Sequence, residues 1–175
     1  MKTQKISFQG LKGAYSDLAC NKFYKEYEPF PCTTFEQALD AVRNNNAFLA
    51  MIPVENNIAG RVADMHVLLQ SLKLKIIAEH YLKIEHNLMI KKNNQLKNLR
   101  FAYSHVHALS QCKKKIEKFR LKPMTHLDTA GAAKFVSESN DEKNAAIASS
   151  LAAKIYNLKI IKKNIEDDKN NITRF

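Results

Sequence analysis

The sequence contains no run of about 20 consecutive apolar residues, which is the length that a transmembrane helix needs. It also contains no low-complexity stretch, so no obvious linker divides it into separate domains. Residues 1–5 lead directly into an alternating segment and lack the apolar core of a secretory signal. The expected location is therefore the cytoplasm, with no membrane partner.

The three cysteines, Cys20, Cys32 and Cys112, are few and scattered. Their number is odd and no two of them form a CxxC pair, which disfavours both a disulfide framework and a structural zinc site. We expect all three to be reduced and mostly buried as small apolar side chains.

Acidic residues are outnumbered by basic ones, with 17 Asp and Glu against 28 Lys and Arg and a formal net charge of +11. The excess is almost entirely lysine, scattered along the chain without the interleaved aromatic residues of RNA-binding surfaces. This pattern favours a solvated basic surface over nucleic-acid binding. Such a surface would attract an anionic small molecule over long distances.

Alternating strand and helix signals predict an α/β fold with largely parallel sheets. A strand at 6–9 is followed by a glycine loop and by a helix that begins near Ser16. Thr34 and Gln37 fit a capping box at the start of the next helix. The apolar run 48–54 predicts a strand buried on both faces.

The second half of the chain repeats this order of elements. Strand pieces are expected at 76–77 and 88–90, and a strand at 100–103 precedes a helix with an apolar stripe. A further helix begins at Asp128 or Thr129.

Two matches relate the halves, one between Tyr15-Ser16 and Tyr103-Ser104 and one between Ile52 and Ile147. The repeat predicts two similar α/β lobes with a cleft between them. Lobe 1 is expected at 1–80 plus 172–175, and lobe 2 at 81–171.

Loops beyond the C-terminal ends of strands are the usual place for ligands in such sheets. The loop 10–16 has two glycines and could cradle an anion with backbone amides, or form a simple left-handed turn. It is not a dinucleotide fingerprint, because a third glycine is missing. Asn56 offers both a donor and an acceptor, and Glu55 is expected to accept from loop amides.

The segment 103–112 places Ser104 at an expected helix N-cap and Gln111 further along the same helix. His105 and His107 are two residues apart, but no matching cysteines or carboxylates accompany them. A metal site is therefore not predicted.

The segment 164–175 combines an acidic turn, paired asparagines and Thr173-Arg174-Phe175. Thr173 could donate a hydrogen bond into the cleft, and Arg174 could hold a carboxylate through two parallel hydrogen bonds. An ordinary edge strand is the competing interpretation.

Taken together, these segments resemble the prephenate dehydratase family. In chain order they are Gly10-Leu11-Lys12-Gly13-Ala14-Tyr15-Ser16, Pro53-Val54-Glu55-Asn56, His86-Asn87-Leu88, Tyr103-Ser104-His105 with Gln111-Cys112, the alanine-rich blocks within 128–153, and Asn164-Ile165-Glu166-Asp167 with Asn171-Ile172-Thr173-Arg174-Phe175. Each segment alone is a weak signal, whereas all of them in the family's order form a specific one.

The sequence departs from the family pattern at Asn57, where Ser or Thr is usual, and at Val106 and His107, where Pro and Gln are usual. Many members also continue past the Thr-Arg-Phe strand into a regulatory ACT domain that binds phenylalanine. This sequence stops at Phe175, so the resemblance implies either a trimmed chain or a form without that control.

The resemblance implies a two-lobed α/β fold like that of type II periplasmic binding proteins. The implied reaction is the decarboxylating dehydration of prephenate to phenylpyruvate, without cofactor or metal, in a homodimer or homotetramer. It implies Thr173 as the catalytic residue. For substrate binding it implies Arg174, Asn56, Ser104, Gln111, Phe175, Ser16 and Thr129.

Two other functions remain open from the sequence. Arogenate dehydratase performs the same chemistry on the amino analogue of prephenate. A non-catalytic, two-lobed protein that binds small anions has the same kind of fold.

Overall fold

The computed structural model describes residues 4–62, 65, 67–68 and 74–175, which form two compact α/β units. Unit 1 comprises the described residues of Met1–Leu11, Tyr15–Ile84 and Asn171–Phe175, and unit 2 comprises Lys12–Ala14 and Glu85–Asn170. The predicted α/β class with two units is confirmed, whereas the expectation of largely parallel sheets is wrong, because five of the nine strand pairs among the described residues are antiparallel. Among the described residues, no helix is both long enough and apolar enough to cross a membrane.

The described part of the chain forms strands, short helices and one 3₁₀ turn. The strands are β1 Lys5–Gln9, β2 Glu28–Cys32, β3 Leu49–Met51, β4 Glu55–Asn56, β5 Gly60–Arg61, β6 Tyr81–Lys83, β7 Asn87–Lys91, β8 Phe101–Ser104, β9 Lys122–Thr125, β10 Asn144–Ala148, β11 Leu158–Lys162 and β12 Ile172–Arg174. The helices are α1 Tyr15–Phe23, α2 Phe35–Arg43, α3 Val106–Gln111, α4 Lys113–Lys118, α5 Thr129–Glu138 and α6 Ser150–Ile155, with a 3₁₀ turn at Leu96–Asn98. Strands and short helices alternate through β1, α1, β2, α2 and β3 and again from β9 to β11, whereas the described elements between β3 and β8 are strands and one 3₁₀ turn.

Unit 1 contains two sheets within its described residues. One is parallel, with the order β2–β1–β3, and the other is antiparallel, with the order β5–β4–β12–β6. Helix α2 begins as predicted, because Thr34 Oγ1 accepts from Gln37 N at 3.2 Å. The reciprocal bond differs from a capping box, since Gln37 Oε1 accepts from Thr33 N at 3.1 Å instead of from Thr34.

Unit 2 contains one mixed sheet with the order β11–β7–β10–β8–β9. The central strand β10 pairs with β8 in parallel and with β7 in antiparallel, and all five of its residues are buried. Small side chains suit this position because helices pack on it closely. Ala146 and Ala148 of β10 lie in one core cluster with Ala132 and Ala152 of helices α5 and α6.

The prediction of a strand buried on both faces at 48–54 is wrong. Strand β3 is short, and Phe48 beside it is 56% exposed. The far edge of β3 has no strand partner among the described residues. Strand β3 lines an apolar groove of about 400 Å³, and residues 74–79 form another wall of the same groove. The strand predicted at 76–77 is also wrong, because this wall forms no ladder and Ile76 is 76% exposed.

The predicted match of Tyr15-Ser16 with Tyr103-Ser104 is wrong at the level of elements. Tyr15 and Ser16 begin helix α1, whereas Tyr103 and Ser104 end strand β8. The spacing that relates Ile52 to Ile147 places Ile6 on Phe101, so β1 corresponds to β8 instead. A tyrosine-serine pair is too short a pattern to fix the register of a repeat.

Candidate functional site

Strand β12 lies between β4 and β6, and its register sorts the final residues onto two faces. Thr173 lies opposite Asn56 and Leu82, while Arg174 lies opposite Glu55 and Tyr81. Directly opposed residues of antiparallel strands share a face, and successive residues alternate between faces. Thr173 and Asn56 therefore share one face, and Arg174 and Glu55 share the other.

The Asn56 side chain is a clamp between a turn and strand β12. Its Oδ1 accepts from Ile58 N at 3.0 Å and from Ala59 N at 2.8 Å, which holds the turn after β4. Because this oxygen is fixed by two main-chain donors, the amide nitrogen must point the other way, towards β12.

The Asn56 amide nitrogen donates to Thr173 Oγ1 at 3.0 Å and to Asn171 Oδ1 at 2.7 Å. Asn171 is fully buried, so the far side of the clamp is rigidly placed. Since Thr173 Oγ1 is the acceptor in this bond, its hydroxyl proton points away from Asn56. The half-buried Thr173 can thus offer that proton to another acceptor.

The neighbouring Asn57 also bonds to strand β12. Its main-chain nitrogen donates to Ile172 O at 3.0 Å, and its side-chain Oδ1 accepts from Ile172 N at 2.8 Å. The residue immediately before Thr173 is therefore held by two hydrogen bonds to a single asparagine.

On the opposite face, the guanidinium of Arg174 contacts two carboxylates of the same unit. Nη2 lies 3.0 Å from Glu55 Oε2, and Nη1 lies 3.2 Å from Glu79 Oε1, which also accepts from the Tyr81 hydroxyl. The Tyr81 and Arg174 donors hold the pKa of the Glu79 carboxyl below its usual value. Glu79 in turn raises the pKa of Tyr81 and of Arg174.

The expectation that Glu55 accepts from loop amides is wrong, because those amides bond to Asn56 and Glu55 pairs with Arg174. Sequence reasoning also does not single out Glu79 or Tyr81. No local pattern marks these two residues, and only the antiparallel register with Arg174 brings them together.

In unit 2, Ser104 is fully buried at the end of β8, and its hydroxyl donates to Ile147 O at 2.6 Å. Its predicted N-cap role is wrong, because the N-cap of α3 is His105, whose side chain accepts from His107 N. Strand β8 pairs with β9 as far as Ser104 and Thr125, so the helix begins one residue later than predicted.

Gln111, which is half-buried, and the buried His86 form a hydrogen-bonded pair in unit 2. Gln111 Oε1 lies 2.9 Å from His86 Nε2, and Glu166 Oε2 accepts from His86 N at 2.8 Å. The imidazole is 2% exposed, and this burial lowers the pKa of His86. Through the bond to His86 N, Glu166 of the acidic turn ties the residue before β7 in place.

The glycine loop packs against the start of α6 within unit 2. Gly13 O accepts from Ser149 Oγ at 2.6 Å, and Lys12 O accepts from the Tyr156 hydroxyl at 2.8 Å. Gly13 has a φ of +92°, as expected for a left-handed turn.

The remaining predicted binding residues occupy ordered positions. Ser16 is buried on α1, and Phe175 is buried and donates its main-chain N–H to His80 O. Thr129 is the first residue of α5, directly after the N-cap Asp128, which accepts from Gly131 N at 2.6 Å. In the described part of the chain, no three His, Cys, Asp or Glu side chains are grouped so that they could hold a metal ion.

Comparison with known proteins adds independent information. The family model described as prephenate dehydratase matches residues 6–175. The chain is 42% identical over 170 residues to the bifunctional N-acyl-homoserine lactone acylase/prephenate dehydratase of Komagataeibacter europaeus, covering 97% of this chain and 60% of that protein. It is 39% identical over 171 residues to the chloroplastic arogenate dehydratase/prephenate dehydratase 2 of Arabidopsis thaliana, covering 98% and 45%.

A solved structure of prephenate dehydratase from Arthrobacter aurescens, in complex with L-Phe, has a TM-score of 0.89 to this chain at 26% identity. The match covers 98% of this chain and 58% of that one. The chain thus spans about half the length of the curated relatives it matches.

Proposed function

The chain belongs to the prephenate dehydratase family, and on that premise we propose that it converts prephenate to phenylpyruvate, carbon dioxide and water. The observation that carries the proposal is the hydrogen bond from Asn56 to Thr173 Oγ1, which orients the hydroxyl of the residue implied as catalytic. The position of Thr173 at the centre of a three-strand ladder supports a rigid placement.

The reaction needs little covalent chemistry from the protein. The bond between the ring and its carboxylate breaks, and that electron pair enters the ring as carbon dioxide leaves. The ring hydroxyl departs with its own electron pair and takes up a proton to become water. Aromatisation of the ring drives the step, so the enzyme has to hold the dianion and assist the leaving hydroxyl.

Thr173 is the proposed donor to that leaving hydroxyl. An alcohol is too weak an acid to transfer a free proton readily at neutral pH, so a hydrogen-bond donor or relay is the more reasonable role. Its proton is directed away from Asn56, which prepares the donor before substrate binds. Such preorganisation lowers the barrier without any rearrangement at the moment of reaction.

The residues proposed to bind the substrate are Ser16, Asn56, Ser104, Gln111, Thr129, Arg174 and Phe175. The bonds of Arg174 to Glu55 and Glu79 use one N–H on each of Nη2 and Nη1, so a substrate carboxylate would bind to the remaining N–H donors of the guanidinium. For Ser104, the hydroxyl that donates to Ile147 O retains only its acceptor capacity.

We also propose that units 1 and 2 are the two lobes implied by the family resemblance. The boundaries then lie at Ile84 and Asn171, instead of at 80 and 172. A cytoplasmic location and a homodimer or homotetramer are proposed by analogy with the family, although the relative from Arabidopsis thaliana is named as chloroplastic.

Replacement of the proposed donor tests the function directly. In a prephenate turnover assay that follows phenylpyruvate, Thr173→Ala is expected to lower kcat by about a hundredfold while KM changes by less than about threefold. Thr173→Ser, which keeps a hydroxyl, is expected to retain part of the activity. A rise in KM with kcat unchanged would reduce Thr173 to a binding residue.

Thr125→Ala is the matched control, because Thr125 is an exposed threonine at the end of β9. It is expected to leave both constants unchanged. A folded parent chain without turnover contradicts the proposal, and a rise in its melting temperature with prephenate would then indicate a protein that only binds the anion.

Arogenate dehydration is the second candidate, favoured by the double name of the relative from Arabidopsis thaliana. Prephenate carries a keto group where arogenate carries an ammonium group, so the same chemistry can serve both substrates. The comparison of kcat/KM for prephenate and arogenate decides between them. A ratio above about ten in favour of either substrate corresponds to more than about 1.4 kcal/mol of differential transition-state binding.

A further inference from the structure

Strand β12 is attached to its β4 side at two places, one on each side of Thr173. After Thr173, Arg174 O accepts from Val54 N at 2.9 Å. Before it, Ile172 bonds to both asparagines on that side: Ile172 O accepts from Asn57 N at 3.0 Å and from Asn56 Nδ2 at 3.1 Å, and Ile172 N donates to Asn57 Oδ1 at 2.8 Å. The main chain of Thr173 itself faces the other neighbour, because alternate residues of a strand bond to opposite sides.

The pair of hydrogen bonds between Ile172 and Asn57 is unusual because one of them ends on a side-chain atom of Asn57 instead of a main-chain atom. Strand β4 ends at Asn56, and the chain then turns under the two bonds that Asn56 Oδ1 accepts. A main-chain carbonyl therefore no longer faces Ile172 N. The Asn57 side-chain carbonyl takes that place at 2.8 Å, with a length typical of a sheet hydrogen bond.

We propose that Asn57 is a positioning residue for Thr173. Its side-chain carbonyl fixes the peptide group that precedes Thr173, and so fixes where the hydroxyl of Thr173 lies relative to Asn56. The inference rests on the proposed function. It concerns a residue at which this chain departs from the family pattern, since Ser or Thr is usual where Asn57 stands.

Asn57 differs from Asn56 in how it acts. Asn56 Nδ2 donates directly to Thr173 Oγ1 and also to Ile172 O, whereas Asn57 Oδ1 accepts from Ile172 N. Loss of the Asn57 amide leaves the Asn56 bonds and the remaining polar groups in place. The expected signature is therefore a loss in kcat with KM nearly constant, because a small displacement of a reacting group costs more than a change in binding.

Three variants and one direct structural readout test the proposal. Asn57→Ala removes the acceptor, Asn57→Asp retains an oxygen that can accept from Ile172 N, and Asn46→Ala is the control. Asn46 is likewise an exposed asparagine in a turn of unit 1. Its main-chain nitrogen donates to Ala41 O, and this bond does not involve the side chain that the substitution removes. Amide hydrogen exchange reports the Ile172 N–H bond without any substrate.

In Asn57→Ala, the exchange protection of the Ile172 amide is expected to fall about tenfold or more, while that of the Val54 amide stays unchanged. The kcat for prephenate is expected to fall about tenfold with KM within about twofold of the parent. Asn57→Asp is expected to restore both the protection and kcat to within about threefold. Asn46→Ala is expected to match the parent.

Unchanged protection of Ile172 in Asn57→Ala overturns the proposal whether or not the parent turns over prephenate. Lost protection with kcat within twofold of the parent overturns it as well. A parallel loss of protection at Val54, with a lower melting temperature that Asn57→Asp does not restore, shows a general stabilising role instead. An inactive but folded parent contradicts the proposed function alone, since the exchange result still decides whether Asn57 holds Ile172.

Discussion

At the scale of single residues, two glycines share a left-handed backbone but differ in their surroundings. Gly13 has a φ of +92° and Gly60 a φ of +86°. A Cβ at Gly13 would lie 2.8 Å from Ala152 Cα, whereas a Cβ at Gly60 would meet no atom within 4 Å. Both positions therefore require a left-handed backbone conformation. Of the two, only Gly13 also lacks space for a Cβ atom.

Alanine at these two positions separates the two requirements. Gly60→Ala is expected to lower the free energy of unfolding by about 1 kcal/mol, the cost of a left-handed conformation for an alanine. Gly13→Ala is expected to lower it by about 3 kcal/mol, because overpacking against α6 adds about 2 kcal/mol more. Urea unfolding measures both, and equal losses at the two positions would contradict the steric contribution.

At the scale of elements, two helices begin at hydroxyl N-caps of different burial. Thr34 caps α2 at an exposed position and accepts from Gln37 N. Ser149 caps α6 while fully buried, accepting from Ala152 N at 3.0 Å and donating to Gly13 O at 2.6 Å. Ser149 thus serves the helix and the glycine loop at once.

Truncation of these caps is expected to have unequal effects. Thr34→Ala removes one bond at the surface and is expected to cost about 1 kcal/mol of unfolding free energy. Ser149→Ala also leaves Gly13 O buried without its donor, so about 3 kcal/mol is expected. Chemical unfolding of both variants provides the comparison, and a smaller loss for Ser149→Ala would show that another donor replaces the hydroxyl.

At the scale of the whole molecule, the net charge of +11 is the dominant electrostatic feature. Prephenate carries two carboxylates, so the summed field of the chain favours its approach. Salt screens this field, and the screening length falls from about 30 Å at 0.01 M to about 3 Å at 1 M ionic strength.

Salt is therefore expected to weaken substrate binding more than it slows the chemical step. Between about 0.01 M and 1 M potassium chloride, kcat/KM for prephenate should fall several-fold through a rise in KM, with kcat nearly constant. Steady-state kinetics measure this, with unfolding in the same salts as a control for stability. A salt-independent KM would show that the lysine excess plays no part in substrate capture.

The sequence by itself indicated several elements, which depend on residues close along the chain, and the family, which depends on short motifs in a fixed order. Strand signals in the sequence placed β7 and β8, and short-range capping patterns placed the starts of α2 and α5. The ordered motifs that end in Thr173-Arg174-Phe175 indicated the family, which the match over residues 6–175 confirms. The same local patterns failed at 48–54 and 76–77, where the presence of a neighbouring strand decides burial and pairing.

Only the tertiary structure decided what the polar side chains of the candidate site contact. Thr173 and Asn56 are 117 residues apart, and the antiparallel register of β4 and β12 puts them on one face. The same register turns Arg174 to the opposite face, towards Glu55 and Glu79. Adjacent residues such as Thr173 and Arg174 thus acquire different roles, because successive side chains of a strand point to opposite sides and pairing between distant segments leaves no signal in the local sequence.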